Sequence, residues 1–444
     1  MSSAGVDTRF ANELRTICGR EYVVEDPVEL ERCNILGVTP SVAVVPGSPD
    51  EIAGILRVAN AHDLSVIPAG GFTQQQTGNV PARVDVLLLT SRLTEIEHYD
   101  PADLTVGVGA GFTVSQLSSM VGADRLLFPV DAPLAELCNI GGMLATGQHG
   151  PLRHGFGGVR DFCIGLRFVS GDARRAKGGG RVVKNVAGYD LMKLLIGSQG
   201  TLGVITSASF KLFPAPRQTR TYIAEFASLV EAIDFRDQVL HSPLAPMCLE
   251  LVSPGAREVL RPGMGPPAWV VCVRAAGSDA VLARYRAECG PAASREVNGR
   301  TEQELWRSLQ NFSEAVKVQH PDPLLISLSL PLRDVKAVIG EAESLARSNG
   351  LAFAAIGRIG VGHVQAALWP TSGHATAAAN FVNTVSGLRA RLPRDASLVV
   401  QRCPAETRPQ IDSWGATPTD VASMRAVKKA LDPHDILNRG RFLF

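Results

Sequence analysis

Two turns in this sequence leave their backbone bare where a ligand's anionic group could be held. The first, Pro68-Ala69-Gly70-Gly71-Phe72-Thr73, directly follows a short apolar run at 64–67. Glycine lets the chain turn sharply and lets a ligand approach the main chain. Consecutive unpaired N–H groups form a nest for phosphate, and Thr73 adds a hydroxyl donor. An ordinary tight turn accounts for the same six residues equally well. The second turn, residues 139–147, carries Gly141, Gly142 and Gly147. Two such turns can grip a diphosphate from opposite sides. That differs from the dinucleotide fold, in which one Gly-x-Gly-x-x-Gly loop meets a helix end, and no such loop follows the first strand here. A third element, residues 183–190, sets Lys184 and Asn185 in apolar surroundings, where each is either exposed or paired. After it, Gly200 and Gly203 flank a turn into a strand, and the backbone at Gly203, Val204 and Ile205 could meet a flat ring.

The elements around these turns alternate. Asp50 is expected to cap a helix through residue 60, with Ile52, Ile55, Leu56 and Ala59 on one face. Strands are expected at 64–67, 84–89, 105–108, 164–169 and 203–212, and Thr113 should cap another helix. Pro214 and Pro216 break the pattern. Beyond them strand signals at 222–226, 269–274 and 325–330 mix with helical ones at 229–240, 279–288 and 334–348. The order strand–helix–strand, twice, predicts a sheet with helices on one face. A cationic helix end at 425–429 precedes the C-terminus. The expected division is a helical segment at 1–39, a domain at 40–216 split near 105, a cap at 217–417 and a returning segment at 418–444.

Composition bounds the function. The chain has 444 residues, 45% apolar and 20% charged, too many for one hydrophobic core. Its 44 basic and 43 acidic residues leave a formal charge of +1, which gives no case for nucleic acid or an anionic bilayer. None of the eight cysteines forms a Cys-x-x-Cys pair, so this chain alone is not expected to hold an iron–sulfur centre. No basic head and apolar run marks a signal peptide, and no apolar stretch is long enough to span a bilayer. The expectation is a cytoplasmic protein that reaches the inner face of a membrane only through partners.

The bare turns, Gly150-Pro151, Val159-Arg160-Asp161-Phe162, residues 183–190 and residues 200–204, in that order, resemble the FAD-binding family typified by vanillyl-alcohol oxidase and p-cresol methylhydroxylase. Within it the likeness is greatest to the glycolate oxidase E-subunit group. Leu431-Asp432-Pro433-His434-Asp435-Ile436-Leu437-Asn438 resembles the tail that covers the flavin there. The likeness is strong over residues 40–215 and weaker beyond. It implies an α+β fold: a two-lobed FAD-binding domain of the p-cresol methylhydroxylase type plus an α/β cap with an antiparallel sheet. Ala69, Gly70, Gly71, Phe72 and Thr73 would lie on the diphosphate. Gly141, Gly142 and Gly147 would face them, Gly203 to Ile205 would pass the adenine and flavin edges, and Asn438 would close the site. Covalent relatives often carry a histidine where this chain has Phe72, so the resemblance implies noncovalent FAD. Asn438-Arg439-Gly440-Arg441 departs from the family's Asn-Pro-Gly-Arg.

The resemblance also implies a small 2-hydroxy acid as substrate. Its carboxylate suits an arginine fork, for which Arg358 and Arg402 are the candidates. His363 is the candidate base, and Lys184 or Asn185 could bind a flavin oxygen. D-type relatives carry a histidine- and aspartate-rich metal motif where this chain reads Ile356-Gly357-Arg358-Ile359-Gly360-Val361-Gly362-His363. One imidazole is too few ligands, so no metal is expected. The implied assembly pairs this chain with a D-like flavoprotein and an iron–sulfur subunit. Two other readings stay open: a stand-alone FAD-dependent 2-hydroxy-acid dehydrogenase, and a non-catalytic assembly subunit that keeps the flavin fold.

Overall fold

The computed structural model describes residues 8–181, 189–261, 268–371 and 377–443. They form two compact units. The first comprises Met1–His149, Gly158–Ala215 and Ala416–Phe444, and the second Gly150–Gly157 and Pro216–Gly415.

The first unit holds two sheets. Val42–Val44, Val86–Leu89 and Val66–Ala69 run parallel, with Val23–Val24 antiparallel at the edge. Parallel strands need cover on both faces. The helix Pro49–Ala61 supplies one cover through Ile52, Ile55 and Leu56. The other face packs Ile67, Ala69 and Leu87 with Leu30 and Val84. The helix starts two residues earlier than its pattern suggested. Ser48, not Asp50, is the cap and accepts the Glu51 amide at 3.2 Å. Pro49 fills the first helical position, where no N–H is needed, and Asp50 pairs with Arg175 at 2.6 Å instead.

The second sheet is antiparallel, in the order Ile96–Asp100, Thr105–Gly109, Val204–Lys211, Cys163–Val169, Arg175–Gly179. Thr113 caps the helix Val114–Gly122 in a reciprocal box with Gln116. Val106, Val108, Phe168, Ala208 and Phe210 point into the core shared with the helix Ile140–Thr146.

A buried cation fixes the C-terminal tail to this unit. The Lys428 ammonium, on the helix Val421–Leu431, donates to Thr201 O at 3.0 Å, Leu437 O at 2.9 Å and Asp432 Oδ2 at 2.6 Å. The Asp432 carboxylate in turn accepts the amides of Ile436 and Leu437. Each proton of the ammonium and both oxygens of the carboxylate are thus engaged, which is what burial of two charges demands. The tail then runs beside Val66, whose N–H donates to Ile436 O at 2.8 Å while Asn438 N–H returns to Val66 O at 2.9 Å.

The second unit is built on one antiparallel sheet of eight strands. Their order is Ala293–Val297, Thr219–Phe226, Trp269–Ala276, Cys248–Val252, Leu351–Arg358, His363–Pro370, Leu324–Ser329, Ser397–Arg402. Tyr222, Leu249, Val271 and Ile326 face a core with the helices Leu229–His241, Asp279–Cys289, Val335–Ser348 and Ala377–Arg391. Helices were expected on that face alone. The opposite face is covered as well: Ile223, Val252 and Cys272 line a cavity with Leu260, Leu305 and Leu309 from the helices Pro254–Leu260 and Gly299–Gln310. Glu302 ties the second of these to the sheet by accepting from Thr219, Thr221 and Arg274.

Breaking the buried pair is expected to cost far more than breaking an exposed one. Lys428→Met should lower stability by about 3–5 kcal/mol by leaving Asp432 uncompensated. Arg439→Ala, which removes the exposed pair with Asp63, should cost under about 1 kcal/mol. Urea titration of the three proteins checks the contrast.

Candidate functional site

The strand Val66–Ala69 delivers its end to the first bare turn. There Gly70 and Gly71 lie against the second turn with no room for a side chain. A Cβ at Gly70 would overlap the Asn139 side-chain amide, and one at Gly71 would overlap the Leu137 carbonyl oxygen. Phe72 sits in the left-handed region at φ 57°, a conformation that a non-glycine residue adopts only under constraint. The Thr73 hydroxyl bonds the Cys138 thiol, which burial pushes up to about 11. Among the described residues, the main-chain N–H groups of Gly70, Gly71, Phe72 and Thr73 find no protein acceptor. Four successive free donors in one turn make an anion nest.

The facing turn contributes differently than expected. The amides of Gly141, Gly142 and Gly147 are already spent, on Ala110 O at 2.8 Å, Asn139 Oδ1 at 2.9 Å and Leu144 O at 3.1 Å. Asn139 caps the helix Ile140–Thr146 and also donates to Thr90 Oγ1 at 3.3 Å. Gly147 ends that helix at φ 65°. So one turn supplies donors and the other supplies a bare, close surface. Gly141 would bring a Cβ to 3.0 Å from Ala110 Cβ, so its smallness serves helix packing.

A third loop and the tail complete this region. Gly197 and Gln199 donate to Leu144 O and Ala145 O, which docks the loop on the helix end. Gly200, at φ 68°, lies under Asn438, whose Nδ2 would be 2.7 Å from an added Cβ. Asn438 donates Nδ2 to Gln199 O at 2.7 Å and leaves its Oδ1 buried without a partner. Arg441 reaches Gln75 O and Thr77 O, holding the chain just beyond the nest. Gly203 is pressed against Phe168 and Val169 O, whereas Val204 and Ile205 pair with Val169 and Phe168 inside the sheet. Their side chains belong to the core, so only their main chain is left for a flat ring. Lys184 and Asn185 lie outside the described residues.

In the second unit the strands Leu351–Arg358 and His363–Pro370 form a hairpin, with Arg358 directly opposite His363. Arg358 is fully buried. Across the next strand pair stands Glu250, also fully buried, with Oε1 3.5 Å from Arg358 Nε. Among the described residues, Arg358 Nε, Nη1 and Nη2 find no hydrogen-bond partner. Burial first, then the positive charges of Arg358 and Arg153, hold His363 well below the ordinary imidazole value of 6.5, so its ring is neutral at pH 7. His154 packs on Gly360 in the hairpin turn and is lowered by burial as well. Arg402 does not join this group. It ends the edge strand at the opposite end from Ser397, which aligns with Ser329 and so with His363. There it donates to Pro321 O at 3.3 Å, with Asp322 at 3.9 Å. A fork so placed cannot share a carboxylate with Arg358.

Sequence matching decides the family. Residues 40–177 match the FAD binding domain, and residues 215–381 with 414–442 match the C-terminal domain of FAD linked oxidases. This chain belongs to the FAD-linked oxidases. It is 28% identical over 427 residues to the D-2-hydroxyglutarate dehydrogenase of Xanthomonas citri pv. viticola, covering 90% of this chain and 89% of that one. A D-lactate dehydrogenase of Archaeoglobus fulgidus is 36% identical over 219 residues, 49% of this chain and 48% of that relative. The glycolate oxidase subunit GlcE of Escherichia coli is 39% identical over 139 residues, 31% of this chain and 39% of that relative. The fold is that of p-cresol methylhydroxylase, with a TM-score of 0.77 at 16% identity over 99% of this chain and 97% of that one.

The residues of this FAD-linked oxidase suit its cofactor. The nest at Gly70 to Thr73 offers donors to a diphosphate, and Asn438 Oδ1 offers an acceptor to an amide or hydroxyl. Four participants were not singled out from sequence: Glu250, Arg153, Lys428 and the Thr73–Cys138 bond. Glu250 did leave a signal, as the lone acid in the apolar run Met247-Cys248-Leu249-Glu250-Leu251-Val252.

Gly71→Ala is expected to abolish flavin retention, because its Cβ has nowhere to go. Measuring absorbance at 450 nm per chain after gel filtration tests this. The histidines give a pH dependence of definite sign. The folded chain refuses a proton that the unfolded chain accepts near pH 6.5, so stability is full above that value and is lost as pH falls through it. His363→Gln should flatten this slope in denaturation midpoints taken between pH 5 and 8.

Proposed function

We propose that this chain is the FAD-binding subunit of a glycolate (2-hydroxy acid) dehydrogenase complex, passing electrons to an iron–sulfur partner beside a D-like flavoprotein. The observation that carries the substrate reading is the buried guanidinium of Arg358 with both terminal nitrogens unbonded. A buried donor without an acceptor costs free energy. A ligand carboxylate removes that cost with two parallel hydrogen bonds.

In this reading Arg358 holds the carboxylate and fixes the orientation of the carbon that bears the hydroxyl. His363, neutral and one strand away, accepts the hydroxyl proton as that carbon is oxidised. The positive charges of Arg358 and Arg153 keep the ring ready to receive a proton only when an anion is present to offset them. The amides of Gly70 to Thr73 hold the diphosphate, and Asn438 and Arg441 close the tail over the turn. FAD, when bound, supplies the hydride acceptor. Phe72 offers no nucleophile, so the flavin is held without a covalent bond.

The relatives' names support the acid class, since they span lactate, hydroxyglutarate and glycolate enzymes. A stand-alone dehydrogenase is the second reading, and the paired Arg358 and His363 favour it. No helix among the described residues is long and apolar enough to cross a membrane, and attachment through partners at the cytoplasmic face fits the complex reading.

The purified chain should bind one FAD, release all of it on acid precipitation, and reduce dyes with glycolate only slowly until its partners are added. Flavin that stays with the precipitate contradicts noncovalent binding. Full turnover by the lone chain selects the second reading. Arg358→Met should weaken acid binding by about 100-fold or more, as loss of a charged bidentate pair requires.

A further inference from the structure

We infer that Glu250 makes the Arg358 site selective for acids with a single carboxylate. This deepens, and rests on, the reading of Arg358 as the carboxylate anchor.

Directly paired positions bring Cys272, Glu250, Arg358, His363 and Ser329 into one row across five neighbouring strands. Residues opposite one another in a sheet project to the same face, so this row is a continuous polar floor. Its charges are few. Glu250 and Arg358 are both fully buried, and Glu250 occupies the Nε edge of the guanidinium at 3.5 Å. The end-on fork, Nη1 and Nη2, remains unbonded. One fork accepts one carboxylate.

A second carboxylate on the same ligand would enter a floor that already holds the Glu250 anion. Water does not screen charges there, so repulsion between like charges is strong and neither is solvated. His363 is neutral and offers no counter-charge. Arg153 is the other cation acting on His363, and it already has a partner of its own. Cys272 on the other side of Glu250 is a neutral thiol, pushed up to about 12 by burial and then by the Glu250 charge.

Glu250 therefore does two things. It compensates a buried guanidinium that would otherwise stand alone without ligand, at a cost that removal of either partner would expose. It also refuses dianions. Short monocarboxylic 2-hydroxy acids pass, and those with a distal carboxylate are disfavoured.

The matching 2-oxo acids test this without turnover, since they cannot reduce the flavin. Glyoxylate and pyruvate, against oxaloacetate and 2-oxoglutarate, should be titrated calorimetrically into the FAD-loaded chain. The monocarboxylates should bind about tenfold or more tightly than the dicarboxylates. Glu250→Gln, which keeps shape and removes charge, should shrink that ratio to about threefold or less. Glu250→Asp, which keeps charge, should preserve it. A destabilised Gln variant leaves the wild-type and Asp ratios to decide. Equal or tighter binding of dicarboxylates by the wild type overturns the inference and leaves the anchor reading intact. A ratio unchanged in the Gln variant overturns it also. No heat from any of the four acids removes the anchor reading and this inference together.

Discussion

No side chain fits where Gly70 and Gly71 meet the Leu137 carbonyl and Asn139. That steric limit sets much of the first unit. The two turns can touch only as bare backbone, so the strand Val66–Ala69 and the helix Ile140–Thr146 are held at one fixed separation. Asn139 cannot cap its helix and bond Thr90 unless the first turn stays clear of it. The contact also strips the first turn of internal partners. Among the described residues its amides find no acceptor. The turn is partly exposed, so water serves these amides in the free chain and a ligand's anionic oxygens can take its place.

Chain ends elsewhere in the unit serve the same turn. Lys428 and Asp432 consume each other's charge and fix the tail to Thr201 and Leu437. The tail then presents Asn438 over Gly200 and Arg441 over the residues after the nest. Three segments far apart in sequence thus converge through a few buried polar bonds together with the burial of Ile436 and Leu437 in the core. The second unit uses a comparable device. One face of its sheet is apolar, and the other carries buried charge in the row through Glu250, Arg358 and His363 and in the Arg274–Glu302 pair.

Much of this was legible in the sequence, for identifiable reasons. Glycine-rich turns after apolar runs mark places where backbone must come close, and both turns do. Thr113 and its helix followed from capping chemistry alone. The helix at Pro49 was legible except for its first residue, because Ser48 and Asp50 are both good caps and only Pro49 between them decides. Hydrogen-bond partners were not legible. Gly141 and Gly142 look as bare as Gly70 and Gly71, yet Ala110 and Asn139 take their amides. The Asn139 bond is a cap of the kind local spacing can show, but Ala110 is about 30 positions away and is not. Arg358 and Arg402 are indistinguishable as lone arginines at strand ends, and only strand order separates them. Glu250 was visible as an acid in an apolar strand, but its partner is more than 100 positions away.

If the free amides of the first turn hold the diphosphate, ligands that lack it bind weakly. Equilibrium titration of the flavin-free chain with FAD, FMN and riboflavin separates that contribution from ring binding. FAD is expected to bind about 100-fold or more tightly than riboflavin, as several charge-assisted hydrogen bonds require, with FMN between them. Riboflavin binding as tightly as FAD would contradict it.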